Sequence, residues 1–141
     1  MRTVLLSLLA LLCFASCDRY EPVGNSGVFI FEPEEVILGA EGGVAVSYAK
    51  GLTKLWNITA YVDGELFFKI DVRNESGVVP YTRKIGDYCT IIRPEKERVE
   101  VHLPPRSEGN FQITIGGEGV DDVSNISLMG GLFTVNQIVT E

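Results

Sequence analysis

Apolar and polar residues alternate along two neighbouring segments, 54–62 and 65–72, and this alternation constrains the fold more than any other feature of the chain. A period of two places successive side chains on opposite faces of a strand, so each segment is predicted to be a β-strand with one buried face. Asp63 and Gly64 lie between the segments and are residues that hairpin turns favour. The segment 54–72 is therefore predicted to be a β-hairpin that covers part of a hydrophobic core.

The register of this hairpin follows from the requirement that both apolar faces be buried together. A two-residue turn at Asp63 and Gly64 would pair apolar positions with polar ones. A three-residue loop over 62–64, with Gly64 in the left-handed conformation, avoids this mixing. The loop gives three apolar cross-strand pairs: Ala60 with Leu66, Ile58 with Phe68, and Trp56 with Ile70. We therefore predict the three-residue loop and a core position for Trp56.

The opposite face of the predicted hairpin carries a candidate binding surface. On this face Tyr61 and Phe67 are diagonal neighbours, and Asn57, Lys69 and Asp71 lie beside them. Aromatic rings flanked by polar groups form platforms on which ligands stack. Tyr61, Phe67, Asn57 and Lys69 are therefore predicted to bind a ligand, unless a loop or the edge of a second sheet covers this face.

The remainder of the chain repeats the pattern of short strands. Apolar runs recur at 28–31, 44–48, 99–103 and 111–115, with Gly, Pro and charged turn residues between them. No long segment has the 3.6-residue apolar period and the caps of a helix. The pattern predicts an all-β fold, an immunoglobulin-like β-sandwich over residues 28–141.

The N-terminus has the features of a targeting segment. Arg2 precedes an apolar run over 4–14, which matches a secretory signal and is shorter than the roughly 20 residues that span a bilayer. The next residues complete the sequence Phe14-Ala15-Ser16-Cys17, which resembles the lipobox of bacterial lipoproteins. The resemblance implies cleavage before Cys17 and acylation of its thiol. The alternative is an ordinary secretory signal cut near Ala15, which would leave Cys17 as a thiol.

This interpretation divides the chain into a lipoprotein signal peptide at 1–16, a flexible tether at 17–27 and one domain at 28–141. Acyl chains on one cysteine hold a protein to a bilayer, so we expect the membrane as a partner and the cell envelope as the location. The outer membrane is the expected site, with the domain in the periplasm or at the surface. With 12 basic and 19 acidic residues and a formal charge of −7, the chain is not expected to bind nucleic acid.

The remaining cysteine is predicted to have no disulfide partner. Cys13 leaves with the signal and Cys17 takes the lipid, so Cys89 remains alone. Its neighbours over 88–92 are mainly apolar, which favours a buried small side chain over a reactive thiol.

Residues that would indicate catalysis or metal binding do not form a recognisable pattern. His102 is the single histidine, and the adjacent acids at 34–35, 95–97 and 121–122 have no calcium-loop spacing. The run Gly116-Gly117-Glu118-Gly119 superficially resembles a nucleotide loop, but the acids at 121–122 would repel a phosphate. We therefore expect no enzyme, no cofactor and no metal, although two carboxylates distant in sequence could still meet as in a glycosidase.

Two further pieces of the sequence carry a family resemblance. They are the segment from Phe31-Glu32-Pro33 to the turn at Gly42-Gly43, before a Val-rich strand, and the closing run 133–137, with Trp56 between them. Together they resemble the BACON family, which consists of immunoglobulin-like modules in lipoproteins and polysaccharide-degrading proteins of Bacteroides-type gut bacteria. The resemblance implies a β-sandwich linked to carbohydrate or mucin binding.

The sequence leads to two hypotheses about function. In the first, a lipid-anchored envelope lipoprotein acts as a non-catalytic binding module whose partner is a glycan or an envelope protein. In the alternative, the chain is a structural or accessory subunit of a cell-envelope complex with no small-molecule ligand. An enzyme ranks last.

Overall fold

The computed structural model describes residues 29–120 and 127–140. The predicted signal peptide at 1–16, the predicted lipid-attachment residue Cys17 and the predicted tether at 17–27 lie outside these residues. None of the described segments is a helix of the length and hydropathy needed to cross a membrane.

The described residues form nine strands in two sheets and contain no helix. The strands are β1 (Glu35–Leu38), β2 (Gly43–Tyr48), β3 (Leu52–Val62), β4 (Glu65–Asp71), β5 (Tyr81–Ile85), β6 (Cys89–Glu95), β7 (Arg98–Leu103), β8 (Phe111–Val120) and β9 (Ser127–Gln137). One sheet has the order β1-β9-β8-β3-β4 and the other the order β2-β7-β6-β5. The prediction of an all-β sandwich is confirmed.

The order of the strands is that of an immunoglobulin-like sandwich. The run β9-β8-β3-β4 has the neighbours of strands G, F, C and C′, and the run β2-β7-β6 has those of strands B, E and D. Strand β1 pairs in parallel with β9, whereas all other paired strands are antiparallel. The predicted topology class is therefore also confirmed.

Alternating side chains of both sheets form the core between them. The five-stranded sheet contributes fully buried Ile58, Ala60, Ile113, Ile115, Phe133 and Val135, and the four-stranded sheet contributes Ala45, Ile91, Val99 and Val101. Each large apolar side chain buried in this way stabilises the fold by about 1.5–3 kcal/mol. The side chains between them point outward, and the site described below lies on the outward face of the five-stranded sheet.

The glycine-rich run 116–119 is part of strand β8 and serves packing. A Cβ atom on Gly119 would lie 2.7 Å from the Phe29 ring, and one on Gly131 would lie 2.9 Å from the same ring. The absent side chains make room for Phe29, which in turn contacts Phe31 edge-on with ring centroids 5.4 Å apart. The glycines of this run are therefore explained by side-chain packing against a strand rather than by a nucleotide-binding loop.

The β3–β4 hairpin has a two-residue turn, so the predicted three-residue loop is wrong. Asp63 and Gly64 have φ angles of 49° and 82°, the positive values that a tight hairpin turn requires. Val62 pairs with Glu65, and a bulge between Ala60 and Tyr61 then shifts the register. Beyond the bulge Ala60 pairs with Phe68 and Ile58 with Ile70, instead of the pairs inferred from the sequence. The bulge brings the apolar faces together, which a regular two-residue hairpin could not do.

A second bulge, between Leu55 and Asn57, overturns the predicted core position of Trp56. Leu55 is fully buried at the inward position, and Asn57 pairs with Gly116 on the outward side. Trp56 is the extra residue in the bulge and is only half-buried. The sole tryptophan of the chain consequently lies at the surface of the five-stranded sheet.

Cys89 is buried as predicted, at 3% exposure, and burial raises the pKa of its thiol to about 12. Since only the thiolate is nucleophilic, we expect native protein at pH 8 to resist iodoacetamide at Cys89 and denatured protein to be alkylated there completely. Peptide mass mapping measures this, with a Thr82→Cys variant as the exposed control on β5. Rapid alkylation of Cys89 in the native protein would contradict the burial.

Candidate functional site

A groove on the outward face of β3 and β4 is the candidate site. It is lined by Trp56, Asn57, Lys69, Asp71 and Arg73 and has a volume of about 450 Å³. We call it the Trp56 groove. The strand register brings its parts together, because Asn57 pairs with Asp71 and the next outward pair along the strands is Thr59 with Lys69.

Ser76 holds the bulge that turns Trp56 outward. The Ser76 hydroxyl accepts a hydrogen bond from the Leu55 N–H at 2.9 Å and donates one to the Leu55 carbonyl at 2.6 Å. Leu55 lies beyond Asn57 and Asp71, the last pair between β3 and β4, so β4 supplies no backbone partner for it and the buried groups depend on Ser76. The fully buried Ser76 therefore fixes the backbone from which the indole projects.

The indole of Trp56 is held in place by charged neighbours. Its Nε1–H donates to Glu118 Oε2 at 2.7 Å, and Lys54 Nζ lies 3.2 Å from Glu118 Oε1. The Arg73 guanidinium lies 6.0 Å from the centroid of the indole ring, at the outer limit of a cation–π contact. The ring is thus oriented before any ligand arrives, which lowers the entropic cost of binding.

Asp71 and Arg73 form a close ion pair at the rim of the groove. Arg73 Nε lies 3.0 Å and Nη2 2.5 Å from Asp71 Oδ2, and the Arg73 backbone N–H donates to Asp71 Oδ1 at 3.0 Å. The side-chain hydrogen bond from Arg73 is the main cause that lowers the pKa of Asp71 to about 2. Asp71 is therefore ionised at any physiological pH and acts as a hydrogen-bond acceptor.

We expect NMR titration of the Asp71 carboxyl carbon to give a pKa near 2, and a pKa close to the ordinary value of about 4 in an Arg73→Met variant. The folded-state pKa is lower than that of the unfolded chain. The contribution to stability is thus fully present above about pH 4 and is lost as the pH falls towards 2. An Arg83→Met variant, which removes an arginine paired with Glu75 elsewhere, should leave the Asp71 titration unchanged. An Asp71 pKa near 4 in the unaltered protein would contradict the pair.

Asn57 and Lys69 are the groups of the groove that remain available to a ligand. In the part of the chain that the structure describes, neither side chain is held by a hydrogen bond or an ion pair. Gly116 lies next to Asn57, and a Cβ atom there would be 3.2 Å from Asn57 Oδ1. The missing side chain opens the sheet face beside the amide.

The structure brings together two of the four residues predicted to bind a ligand. Asn57 and Lys69 line the Trp56 groove, whereas Tyr61 lines a shallower depression with Asn110, Gln112 and Asn136. Phe67 contacts Tyr88 instead of Tyr61, with ring centroids 4.8 Å apart in an edge-on arrangement. The predicted Tyr61–Phe67 platform therefore does not form.

Sequence reasoning missed Trp56 and Arg73 as parts of the site, although one signal was present. The buried residues Leu52, Leu55 and Ile58 are spaced by three, which a regular strand cannot bury on one face. That spacing indicates bulges, and the structure has them between Leu52 and Lys54 and between Leu55 and Asn57.

Phe67 belongs to a second surface at one end of the sandwich. Phe67 and Leu66 are 46% and 63% exposed, and the Tyr88 ring lies between Phe67 and the buried ring of Phe111. The Arg106 guanidinium covers Phe111 at 4.6 Å from the ring centroid. We call Leu66, Phe67 and Tyr88 the aromatic end.

His102 lies on the outward face of the other sheet. Its Nε2 is 3.0 Å from Glu100 Oε1, while Arg98 Nε donates to Glu100 Oε2 at 2.9 Å. The hydrogen bond with His102 is the main cause that lowers the pKa of Glu100. Among residues 29–120 and 127–140, no three His, Cys, Asp or Glu side chains are grouped in a way that could hold a metal ion.

The chain matches no protein-family model and no curated protein. Among solved structures it is similar to the NMR structure of a protein from Bacteroides thetaiotaomicron. The two chains are 16% identical, the match covers 85% of this chain and 83% of that one, and the TM-score is 0.47.

Proposed function

We propose that the protein is a lipid-anchored envelope lipoprotein whose sandwich acts as a non-catalytic binding module for glycan. The observation that carries this proposal is the position of Trp56, half-exposed in a groove with the free polar groups of Asn57 and Lys69. Sugar rings present C–H faces that stack on indole and hydroxyls that exchange hydrogen bonds with amides, ammonium groups and carboxylates. The groove offers both kinds of contact within one small area.

The carboxylates of the groove support binding in preference to hydrolysis. A glycosidase needs one carboxyl group with a raised pKa as its general acid. The pKa of Asp71 is lowered instead, because Arg73 holds the ionised form. Glu118 is engaged by both Trp56 and Lys54. These two acids are therefore suited to orienting the indole and accepting hydrogen bonds.

The lipid anchor and the BACON-like affiliation are part of the same proposal, and they rest on the sequence. Residues 14–17 resemble a lipobox, and the segments 31–43 and 133–137 resemble BACON modules. An anchored sandwich of this kind would hold the Trp56 groove close to the outer membrane, where glycans or envelope proteins are the partners within reach.

Acylation of Cys17 is tested by metabolic labelling with an alkyne analogue of palmitate in a Gram-negative host. We expect the full chain to incorporate the label and to enter the detergent phase, and a Cys17→Ala variant to do neither. A Cys89→Ala variant should retain the label. Absence of label from the unaltered chain would reject the anchor.

Glycan binding is tested on a glycan array, followed by calorimetry. We expect a Trp56→Ala variant to lose at least about tenfold in affinity, the equivalent of about 1.4 kcal/mol. Tyr48→Ala is the control, because Tyr48 is 51% exposed and belongs to the opposite sheet. Equal affinities of the unaltered and Trp56→Ala proteins, or no bound glycan at all, would contradict the proposed site.

The aromatic end favours the accessory-subunit function as a second candidate. Leu66, Phe67 and Tyr88 are all exposed, and Phe67 contacts Tyr88. Exposed apolar patches of this kind are typical of protein interfaces. Gentle detergent extraction of the tagged chain should then co-purify a stoichiometric envelope protein, and a Phe67→Ser variant should lose it. Purification of the unaltered chain alone would remove this candidate.

A further inference from the structure

The outward face of β3, β8 and β9 has an unusual composition. The register aligns Thr59 with Thr114 and Thr114 with Thr134, and the next row contains Tyr61, Gln112 and Asn136. The row on the other side contains Asn57, Gly116 and Leu132. Apart from the glycine and the leucine, every one of these outward side chains is polar and uncharged.

Charged residues lie at the margins of this face. Lys69 and Asp71 are on the outer strand β4, Glu35 is on the outer strand β1, and the pair of Lys54 with Glu118 lies beyond Trp56. Charged residues make up 22% of the chain, so an uncharged centre across three adjacent strands is informative. A face without net charge provides no compensation for an ionic ligand and suits an uncharged polar one.

The amides of this face are already oriented by one another. Gln112 Nε2 donates to Asn136 Oδ1 at 2.8 Å, and Asn136 Nδ2 donates to Glu35 Oε1. Thr114 and Thr134 are half-buried and present hydroxyls that both donate and accept hydrogen bonds, whereas Thr59 is only 8% exposed. A fixed array of amides and hydroxyls matches the hydroxyl groups of a carbohydrate better than the apolar centre of a protein interface.

An aromatic residue stands at each end of the face. Trp56 and Tyr61 are both half-buried and are five residues apart on β3, a separation of about 16 Å at the ordinary rise of a strand. That distance exceeds the length of one sugar ring. The floor between the two rings is low beside Asn57, because Gly116 has no side chain.

We propose that the ligand is an uncharged, extended oligosaccharide that lies along β3, with one sugar on Trp56 and a more distant one on Tyr61. This inference rests on the proposed function and adds the ligand's charge, its minimum length and its direction on the sheet. Tyr61 contributes only when the chain is long enough to reach it.

The test is calorimetry with the cello-, manno-, xylo- and malto-oligosaccharide series from one to six sugars, and with oligogalacturonides as the charged comparison. We expect affinity for a neutral series to rise with length and to exceed that for the oligogalacturonides of equal length. Tyr61→Ala should weaken hexasaccharide binding about tenfold and leave disaccharide binding unchanged. Trp56→Ala should weaken both.

Tyr48→Ala, on the opposite sheet, is the control and should bind like the unaltered protein. Affinity that does not depend on length, an unaffected hexasaccharide in Tyr61→Ala, or preference for oligogalacturonides would overturn this inference while leaving Trp56-dependent glycan binding in place. Absence of binding to every series and to the array would overturn both proposals. Thermal unfolding of each variant verifies that it is folded.

Discussion

An Arg93→Met variant is expected to lose about 3–5 kcal/mol of unfolding free energy. Arg93 is fully buried, and its guanidinium donates to the backbone carbonyls of Thr53, Ser76 and Lys96. Burial lowers the pKa of the guanidinium, but an arginine remains charged in a protein. Methionine fills much of the volume yet donates no hydrogen bond, so carbonyls from three separate segments lose their partner.

Urea unfolding followed by circular dichroism measures this loss. Arg83→Met is the matched control, because the Arg83 pair with Glu75 is exposed and a surface pair contributes only about 0–1 kcal/mol. Equal midpoints for the two variants would show that the buried guanidinium does not hold these segments together.

A Ser76→Ala variant is expected to lose about 2–4 kcal/mol and to weaken glycan binding. The substitution leaves the N–H and the carbonyl of Leu55 without their hydrogen-bond partner in a buried position. The bulge that presents Trp56 then loses its support, so the effect reaches the Trp56 groove even though Ser76 does not line it.

Ser47→Ala is the matched control for the serine. Ser47 is also fully buried, but its hydroxyl makes a single long hydrogen bond of 3.4 Å to the Pro33 carbonyl. We expect it to cost less than about 1.5 kcal/mol and to leave glycan binding intact. If Ser76→Ala kept the Trp56 fluorescence spectrum and the affinity of the unaltered protein, the proposed support of the bulge would be rejected.

The sandwich was predictable from the sequence because alternation over short segments is a direct consequence of burying one face of each strand. Ile58, Ala60, Ile113 and Ile115 all occupy the inward positions that their alternation predicts. Such patterns depend only on the period of the strand, so they can be recognised in the sequence without knowing which strands pair.

The position of Trp56 was not predictable by the same reasoning, since alternation assumes an unbroken strand. One inserted residue reverses every position beyond it, and the bulge beside Leu55 is stabilised by Ser76, 21 residues further along the chain. The predicted length of the hairpin turn was wrong for a related reason. The bulge between Ala60 and Tyr61 allows a two-residue turn, which in a regular ladder would pair apolar positions with polar ones.

The candidate site was half predictable. Asn57 and Lys69 lie on the outward face as predicted, because they belong to alternating strands whose pairing direction was correct. Phe67 was misplaced because it lies next to the register shift of the hairpin, and its ring contacts Tyr88 in the turn between β5 and β6. Contacts between sheets depend on loop geometry that local sequence does not encode.

A bulge turns the only tryptophan of the chain onto a sheet face, and we propose that this face binds glycan. The most direct measurement is a ¹H–¹⁵N NMR titration of the labelled protein with the neutral oligosaccharides. We predict shifts of the Trp56 indole N–H and of the backbone amides of β3 and β8 around Asn57, Thr59 and Thr114. An unmoved indole signal, with shifts confined to the aromatic end or absent altogether, would contradict the account.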